Sequence, residues 1–215
     1  MVTLNIDWRF ILIATDTVVA RRHAEIGLRR LDRTEQDVWS LVLEELKSRG
    51  YSEDKVETEL AYQEIYFLEE ALPRLETYGI LVMLFATYES VVKRLPGYVG
   101  AWTPADVTET RGDSFVAKAM RFYRERLGVP LFKDDKEESF VRRVADIRNA
   151  VGHATGQVSM LKKDLQRRFQ QHLAAEEGLS VVDGSLHLDP AFVRKVAGGL
   201  DGAAHGLIER LKVAF

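Results

Sequence analysis

Apolar residues recur along this chain mostly at the three-to-four-residue spacing of an α-helix. From about Asp7 to Leu31, Phe10, Ile13, Thr17, Ala20, Ala24 and Leu28 share one stripe, which closes on Arg29 and Arg30. A second segment begins at Thr34, carries Val38, Leu41, Val42 and Leu46, and stops at Gly50. Ser52 suits the N-cap of a third, with Val56, Leu60, Ile65 and Leu68 on its apolar face. Pro73 either kinks that helix or opens the next, because proline lacks an amide donor and crowds the preceding turn. Arg74 to Leu95 is apolar on more than one side, as the central helix of a bundle is, and it ends at Pro96-Gly97.

Tyr98 to Asp113 holds Pro104, two glycines and several threonines, which predicts a loop with little regular structure. A helix from Ser114 to Leu127 follows, with Phe115, Ala119, Phe122 and Arg126 in register. Past Gly128 and Pro130 another opens near Asp134 or Asp135, where Glu137 and Glu138 add charge that the helix dipole favours. Phe140, Val144, Ile147 and Val151 form its stripe, and Gly152 predicts its end. A further amphipathic helix is expected from roughly Gln157 to Glu176. The period then changes to two in LSVVDGSLHL, where Asp183-Gly184 is a hairpin turn signal. Asp189 caps a last helix opened by Pro190, and Gly198, Gly199 and Gly202 mark a close helix approach within it. The pattern predicts an all-α helical bundle with one small β-hairpin before the last helix and antiparallel neighbours.

The chain has 215 residues, 46% of them hydrophobic and 29% charged, enough to bury a core without covalent staples. It has no cysteine, which excludes a disulfide framework and any thiolate metal site and suits a reducing cytosol. The N-terminal stretch has no basic leader, and Asp7, Arg9 and Asp16 interrupt its apolar run. The most apolar run, Gly79 to Ala86, falls short of the roughly 20 residues that span a bilayer. The expectation is a cytoplasmic protein with no membrane partner. A net charge of −3 argues against a general nucleic-acid coat but leaves room for a local basic site.

The densest candidate chemistry lies in Arg148, Asn149 and His153 at the end of the predicted motif helix. Successive helical residues turn by about 100°, so Asn149 and His153 share a face. Arg148 stands about 140° from His153 unless the chain leaves the helix at Gly152 and lets the imidazole swing toward it. A guanidinium, an amide and an imidazole around one concavity suit a phosphate: arginine holds its oxygens and histidine moves protons near neutral pH. The same residues also satisfy the last carbonyls of a helix and its dipole, and spacing alone does not separate the two readings.

Glu89, within a very apolar helix, either steadies Arg148 at a cleft or pairs with a buried Arg or Lys. Asp146 stands two residues before Arg148 and is expected in solvent. Lys162, Lys163, Arg167 and Arg168 form either a track for an RNA backbone or a solvated face. Tyr123 among Arg121, Arg124 and Arg126 offers a base-stacking reading beside a core one. His23, His172, His187 and His205 stand singly, with no ligand spacing such as HExxH, so no metal and no cofactor is expected.

The run Arg148-Asn-Ala-Val-Gly-His153 resembles the R-x4–6-H motif of HEPN domains, including the polar residue after the Arg. Its setting is also similar: a Glu-bearing apolar helix (LFATYESVVKRL), a basic-aromatic helix (AMRFYRERLGVP), then the motif helix. VVDGSLHLD before a final helix is similar to the ending of abortive-infection-like HEPN proteins. The resemblance covers roughly Ser52 to Phe215. It implies a HEPN-like four-helix core in residues 51–215, with residues 1–50 as an N-terminal helical extension that joins the same unit.

What the resemblance further implies is a homodimer built around the motif face and a metal-independent endoribonuclease of phage defence or toxin–antitoxin biology. RNA is then the substrate, and an antitoxin or defence-system partner is expected. His153 would deprotonate the ribose 2′-OH or protonate the leaving 5′-oxygen, Arg148 would stabilise charge on phosphorus, and Asn149 would orient the motif or touch substrate. Glu89, Lys162, Lys163 and Arg167 are the expected substrate-side residues. The alternatives are a non-catalytic HEPN protein that binds RNA, a nucleotide or a partner, and a helical interaction subunit in which the motif only caps a helix. One departure stands out: HEPN toxins paired with a nucleotidyltransferase antitoxin carry a Tyr two residues after the His, where this chain has Thr155. Regulation through tyrosine modification there is not expected.

Overall fold

Thr17, Ala20, Ala24 and Leu28, the stripe read from the N-terminal sequence, are the four buried residues of a helix over 15–29, here α1. The structure, a computed structural model, describes residues 15–29, 44, 48, 50 and 71–215. The expected helices from Thr34 and Ser52 lie outside the described residues except at isolated positions, as do Phe10 and Ile13. Gly50 has φ 79°, the left-handed backbone that a glycine stop supplies.

Pro73 sits in the first turn of α2 (Leu72–Arg94), where its missing amide costs no hydrogen bond. Ala71 before it is also helical in backbone, so the choice between a kink and a start turns on residues outside those described. Tyr78, Leu81, Leu84, Phe85, Tyr88, Val91 and Val92 give α2 a wide buried face, as its all-round apolar pattern demanded. By length and composition Leu72–Val99 is also apolar enough to cross a membrane, which corrects the expectation that no window comes near. Half of that window is buried in this fold, as the central helix of a bundle requires.

The loop expected over Tyr98 to Asp113 is instead about half helical, holding the end of α3 (Pro96–Val99) and all of α4 (Pro104–Glu109). Its breakers are helix-start residues. Thr103 is the N-cap, Pro104 the first helical residue, and the Asp106 carboxylate accepts from the Thr103 amide and hydroxyl, each at 2.7 Å. α5 (Phe115–Phe122) is capped by Ser114, whose hydroxyl accepts from Ala117 N at 3.2 Å. A π-helical turn, Tyr123–Leu127, then adds a residue to the repeat. That shift turns Tyr123 and Leu127 inward and leaves Arg126, expected in register with Phe122, exposed.

α6 (Asp135–Ala154) starts on the Asp134 side-chain cap and buries Val141, Val144, Ile147, Ala150 and Val151. It continues through Gly152, contrary to the expected stop there. Its end comes at Thr155 and Gly156, both left-handed with φ 47° and 77°. The next helix is split: a 3₁₀ turn (Val158–Met160) and extended backbone at Leu161 precede α7 (Lys163–Ala175). β1 (Leu179–Val182) and β2 (Ser185–Leu188) pair antiparallel, with Val182 opposite Ser185. Asp183 and Gly184 both have positive φ, 48° and 77°, as the tightest hairpin turn requires. α8 (Pro190–Ala214) begins on Asp189, whose carboxylate accepts from Ala191 N at 2.6 Å. Of Gly198, Gly199 and Gly202, expected to mark a close approach, only Gly199 lies against a neighbour, the ring of Phe140; Gly198 and Gly202 face open space.

Among the described residues the fold is thus an all-α bundle apart from one hairpin before the last helix. α2 packs chiefly on α8 and then on α6, and Ala20, Ala24 and Leu28 of α1 belong to the same core. Charged clamps fix the outer helices. Asp201 of α8 accepts from Thr17 and Arg21 of α1 at 2.8 and 2.9 Å. Glu176, beyond α7, binds Arg143 at 2.8 Å and Lys195 at 2.6 Å. Asp146 holds Arg168 at 3.3 Å and His172 at 3.1 Å, so it is not the solvated residue the sequence suggested. α7 provides those partners, a tertiary contact that local spacing does not show.

Burial also sets how tyrosines ionise. It pushes the Tyr78 hydroxyl up to about 12, against a smaller opposing pull from Arg74, and raises Tyr88 and Tyr123 as well. Because the folded chain keeps these protons more tightly than the unfolded chain, their contribution to stability is full below about pH 10 and declines as pH rises toward 12. Alkaline spectrophotometric titration is therefore expected to show part of the seven-tyrosine signal appearing only above pH 11, together with loss of helix. Complete ionisation near pH 10 with the helix intact would contradict this burial.

Candidate functional site

Arg148 projects from α6 toward α2. Its Nη1 donates to Asn149 Oδ1 at 3.0 Å, and its Nη2 lies 4.0 Å from Glu89 Oε2. The guanidinium carbon stands 5.8 Å from the centre of the Phe85 ring, within cation–π range. Glu89 is held more closely from its own helix, where Lys93 Nζ donates to its Oε1 at 2.5 Å. Lys93 in turn lies 5.4 Å from the Phe115 ring centre, and Phe85 and Phe115 meet edge to face at 6.4 Å. These groups line an open cleft of about 470 Å³ together with Ala86, Ser90, Arg94 and Pro104. Arg94 is engaged by Asp16, so α1 reaches the rim of this cleft.

His153 is elsewhere. It is exposed in the last turn of α6 and makes no hydrogen bond or ion pair among the described residues. Because Gly152 is helical, the swing toward Arg148 that a glycine break would allow does not occur. Seven residues separate His153 from Asp146, which puts them nearly in line on the helix, while Arg148 stays about 140° from His153. One chain therefore brings Arg148 to Glu89, with Asn149 bonded to the guanidinium, and keeps His153 about 140° around the helix from Arg148.

Lys162, Lys163 and Arg167 are exposed at the start of α7 and have no ion pair among the described residues. Arg168, the fourth member of the suggested track, is committed to Asp146. α7 packs along the Asp146 side of α6, about 160° around the helix from Arg148. The basic track and the Glu89 cleft are two surfaces, and His153 belongs to the side of the track. Tyr123 is buried and donates its hydroxyl to Val92 O at 2.7 Å, which removes it as a base-stacking platform. Among the described residues no three His, Asp or Glu side chains are grouped to hold a metal.

The residue that sequence reasoning passed over is Lys93. Its signal was present, since Glu89 and Lys93 are four apart on one helix in the favourable acid-before-base order. The aromatic pair beneath the two cations had no such local signal. A second, larger cleft of about 910 Å³ lies beside α5 and the start of α6. Three of its arginines are paired, Arg142 with Glu138 and both Arg121 and Arg124 with Glu125, which leaves it of mixed charge. Compared with family models, curated proteins and solved structures, the chain has no match.

Proposed function

We propose that the chain is the subunit of a homodimeric, metal-independent endoribonuclease of the HEPN kind, acting in the cytoplasm in phage defence or against an antitoxin. The observation that carries this reading is the pairing of an Arg148 guanidinium held in an open cleft with an exposed His153 five residues on, which has no partner among the described residues. Arginine fixed over a ring keeps N–H donors for phosphate oxygens, and a solvent-facing imidazole is free to exchange protons. The angle between them is the reason for a dimer: a second motif copy, related by twofold symmetry, brings imidazole and guanidinium to one phosphate.

In the reaction, imidazole takes the proton of the ribose 2′-OH as the 2′-oxygen bonds to phosphorus. Arg148 stabilises the charge that builds on the non-bridging oxygens. The bond to the 5′-oxygen breaks as a protonated imidazole supplies its proton, leaving a 2′,3′-cyclic phosphate and a 5′-hydroxyl. Asn149, bonded to Arg148, keeps the guanidinium turned to the cleft. Lys162, Lys163 and Arg167, on the His153 side, serve the flanking RNA backbone.

The expected result is that purified protein cleaves RNA in EDTA and leaves cyclic-phosphate ends. A second reading, a HEPN protein that binds RNA, a nucleotide or a partner without turnover, is favoured by the divergence of Arg148 and His153 within one chain. Its signature is RNA retained intact, with Arg148→Ala lowering affinity. No cleavage across a panel of structured and single-stranded RNAs overturns the enzyme reading and leaves the second.

A further inference from the structure

We propose that Lys93 is a second phosphate-binding cation of the cleft, closing with Arg148 on one phosphodiester, and that Glu89 positions this pair without itself binding substrate. The inference deepens the ribonuclease reading and rests on it only for the identity of the phosphodiester.

Lys93 and Arg148 come from different helices and flank a single carboxylate, 2.5 Å and 4.0 Å from its oxygens. The cluster of three therefore carries one net positive charge. Each cation is backed by a ring, Lys93 by Phe115 and Arg148 by Phe85, and the two rings support each other edge to face. An aromatic floor of this kind fixes both heads and leaves their remaining donors toward the open side. The 4.0 Å separation is beyond hydrogen-bonding distance, so the guanidinium fork is not closed on Glu89. Lys93 gives one donor to Glu89 and keeps the others. A phosphodiester offers a pair of non-bridging oxygens, one for each cation.

Glu89 offsets the repulsion between the two cations while the cleft is empty, and this is its positioning role. As a direct ligand it would repel the phosphate. Arg94, the third cation on the rim, is committed to Asp16 and is not part of the clamp.

The two roles predict opposite signs, which a binding titration separates. The probe is a 2′-O-methyl RNA oligonucleotide, whose blocked 2′-oxygen prevents cleavage, followed by fluorescence anisotropy on the full chain across a salt series. Lys93→Gln is expected to weaken binding about tenfold, the scale of one lost charge-assisted hydrogen bond. The same variant should lower the magnitude of the log K against log salt slope by about 0.7. Lys93→Arg should restore most of the affinity. Glu89→Gln should tighten binding.

Circular dichroism checks that each variant keeps its helix content. An unchanged affinity and slope for a folded Lys93→Gln, a weaker Glu89→Gln, or no binding by the wild-type chain overturns the clamp. Cleavage of unmodified RNA is measured alongside. If the wild type cleaves but Lys93→Gln binds normally, the clamp falls and the ribonuclease reading stands. If the variants shift binding as stated but nothing is cleaved, the reverse holds.

Discussion

His153→Ala is expected to lower RNA cleavage by roughly 10²–10⁴-fold, the scale of a lost general acid–base group, while the chain keeps its fold and its thermal midpoint. The reason for the separation is where His153 sits. It is exposed in the last turn of α6 and has no hydrogen bond or ion pair among the described residues, so its removal breaks nothing that holds the bundle. Alanine is the better helix former, and surface substitutions of this kind change stability by no more than about 0.5 kcal/mol. Initial cleavage rates on a labelled RNA, with thermal unfolding followed in parallel, provide the check. Equal rates for wild type and variant would show that the imidazole moves no proton in the reaction. A large fall in stability would show that His153 has a structural partner instead.

Gly156→Ala is expected to be the most damaging single methyl group in this region, costing about 3 kcal/mol of stability. Two effects add. Gly156 holds φ 77°, a left-handed conformation in which any side chain costs about 1 kcal/mol or more. A Cβ there would also overlap the Tyr78 hydroxyl and stand 2.6 and 2.8 Å from its ring carbons. Tyr78 donates that hydroxyl to Leu186 O across a buried contact, and forcing it out leaves a buried carbonyl without its donor, a further ~1–3 kcal/mol. For a chain of this size the midpoint should fall by about 6–12 °C in a thermal melt. A fall of less than about 2 °C would mean that Tyr78 has room to move and that the contact is loose.

Much of this architecture was legible because its signals are local. Asp134, Asp183-Gly184 and Asp189-Pro190 each act within a few residues, through a side-chain cap or a backbone preference, and each stands where its chemistry requires. α4 was written in the same code, but Thr103-Pro104-Ala-Asp106 sits among glycines and threonines that equally well describe a loop. The end of α6 had no such code. Thr155 adopts a left-handed backbone that its own side chain disfavours, and it is held there because its amide and that of Gly156 both reach Ala150 O. The neighbouring Gly152 carried the stronger local signal and misled.

The candidate site divides along the same line. Glu89 with Lys93, four apart on one helix, could be paired from spacing alone, whereas the bond between the adjacent Arg148 and Asn149 could not. That α2 and α6 lie side by side, so that Arg148 meets Glu89 and Phe85, is a property of the packed bundle. Asp146 shows the same limit from the other side, since its tertiary ion pairs with Arg168 and His172 draw it from the solvent its position suggested.

The order of elements has a consequence for how the chain is made. α2, the most apolar helix, finds its main packing partner in α8, which begins ~95 residues later. The turn that closes the motif helix likewise waits for the hairpin, where Leu186 N donates to Gly156 O and Val158 N to Gly184 O. At typical translation speeds α2 therefore emerges about 5–20 s before α8 can cover it. During that interval the nascent chain presents a long apolar face to whatever is nearby, and the end of the motif helix lacks its brace. A ribosome that stalls anywhere before residue 190 leaves a bundle without its last wall, so this protein places its vulnerability to aggregation late in synthesis.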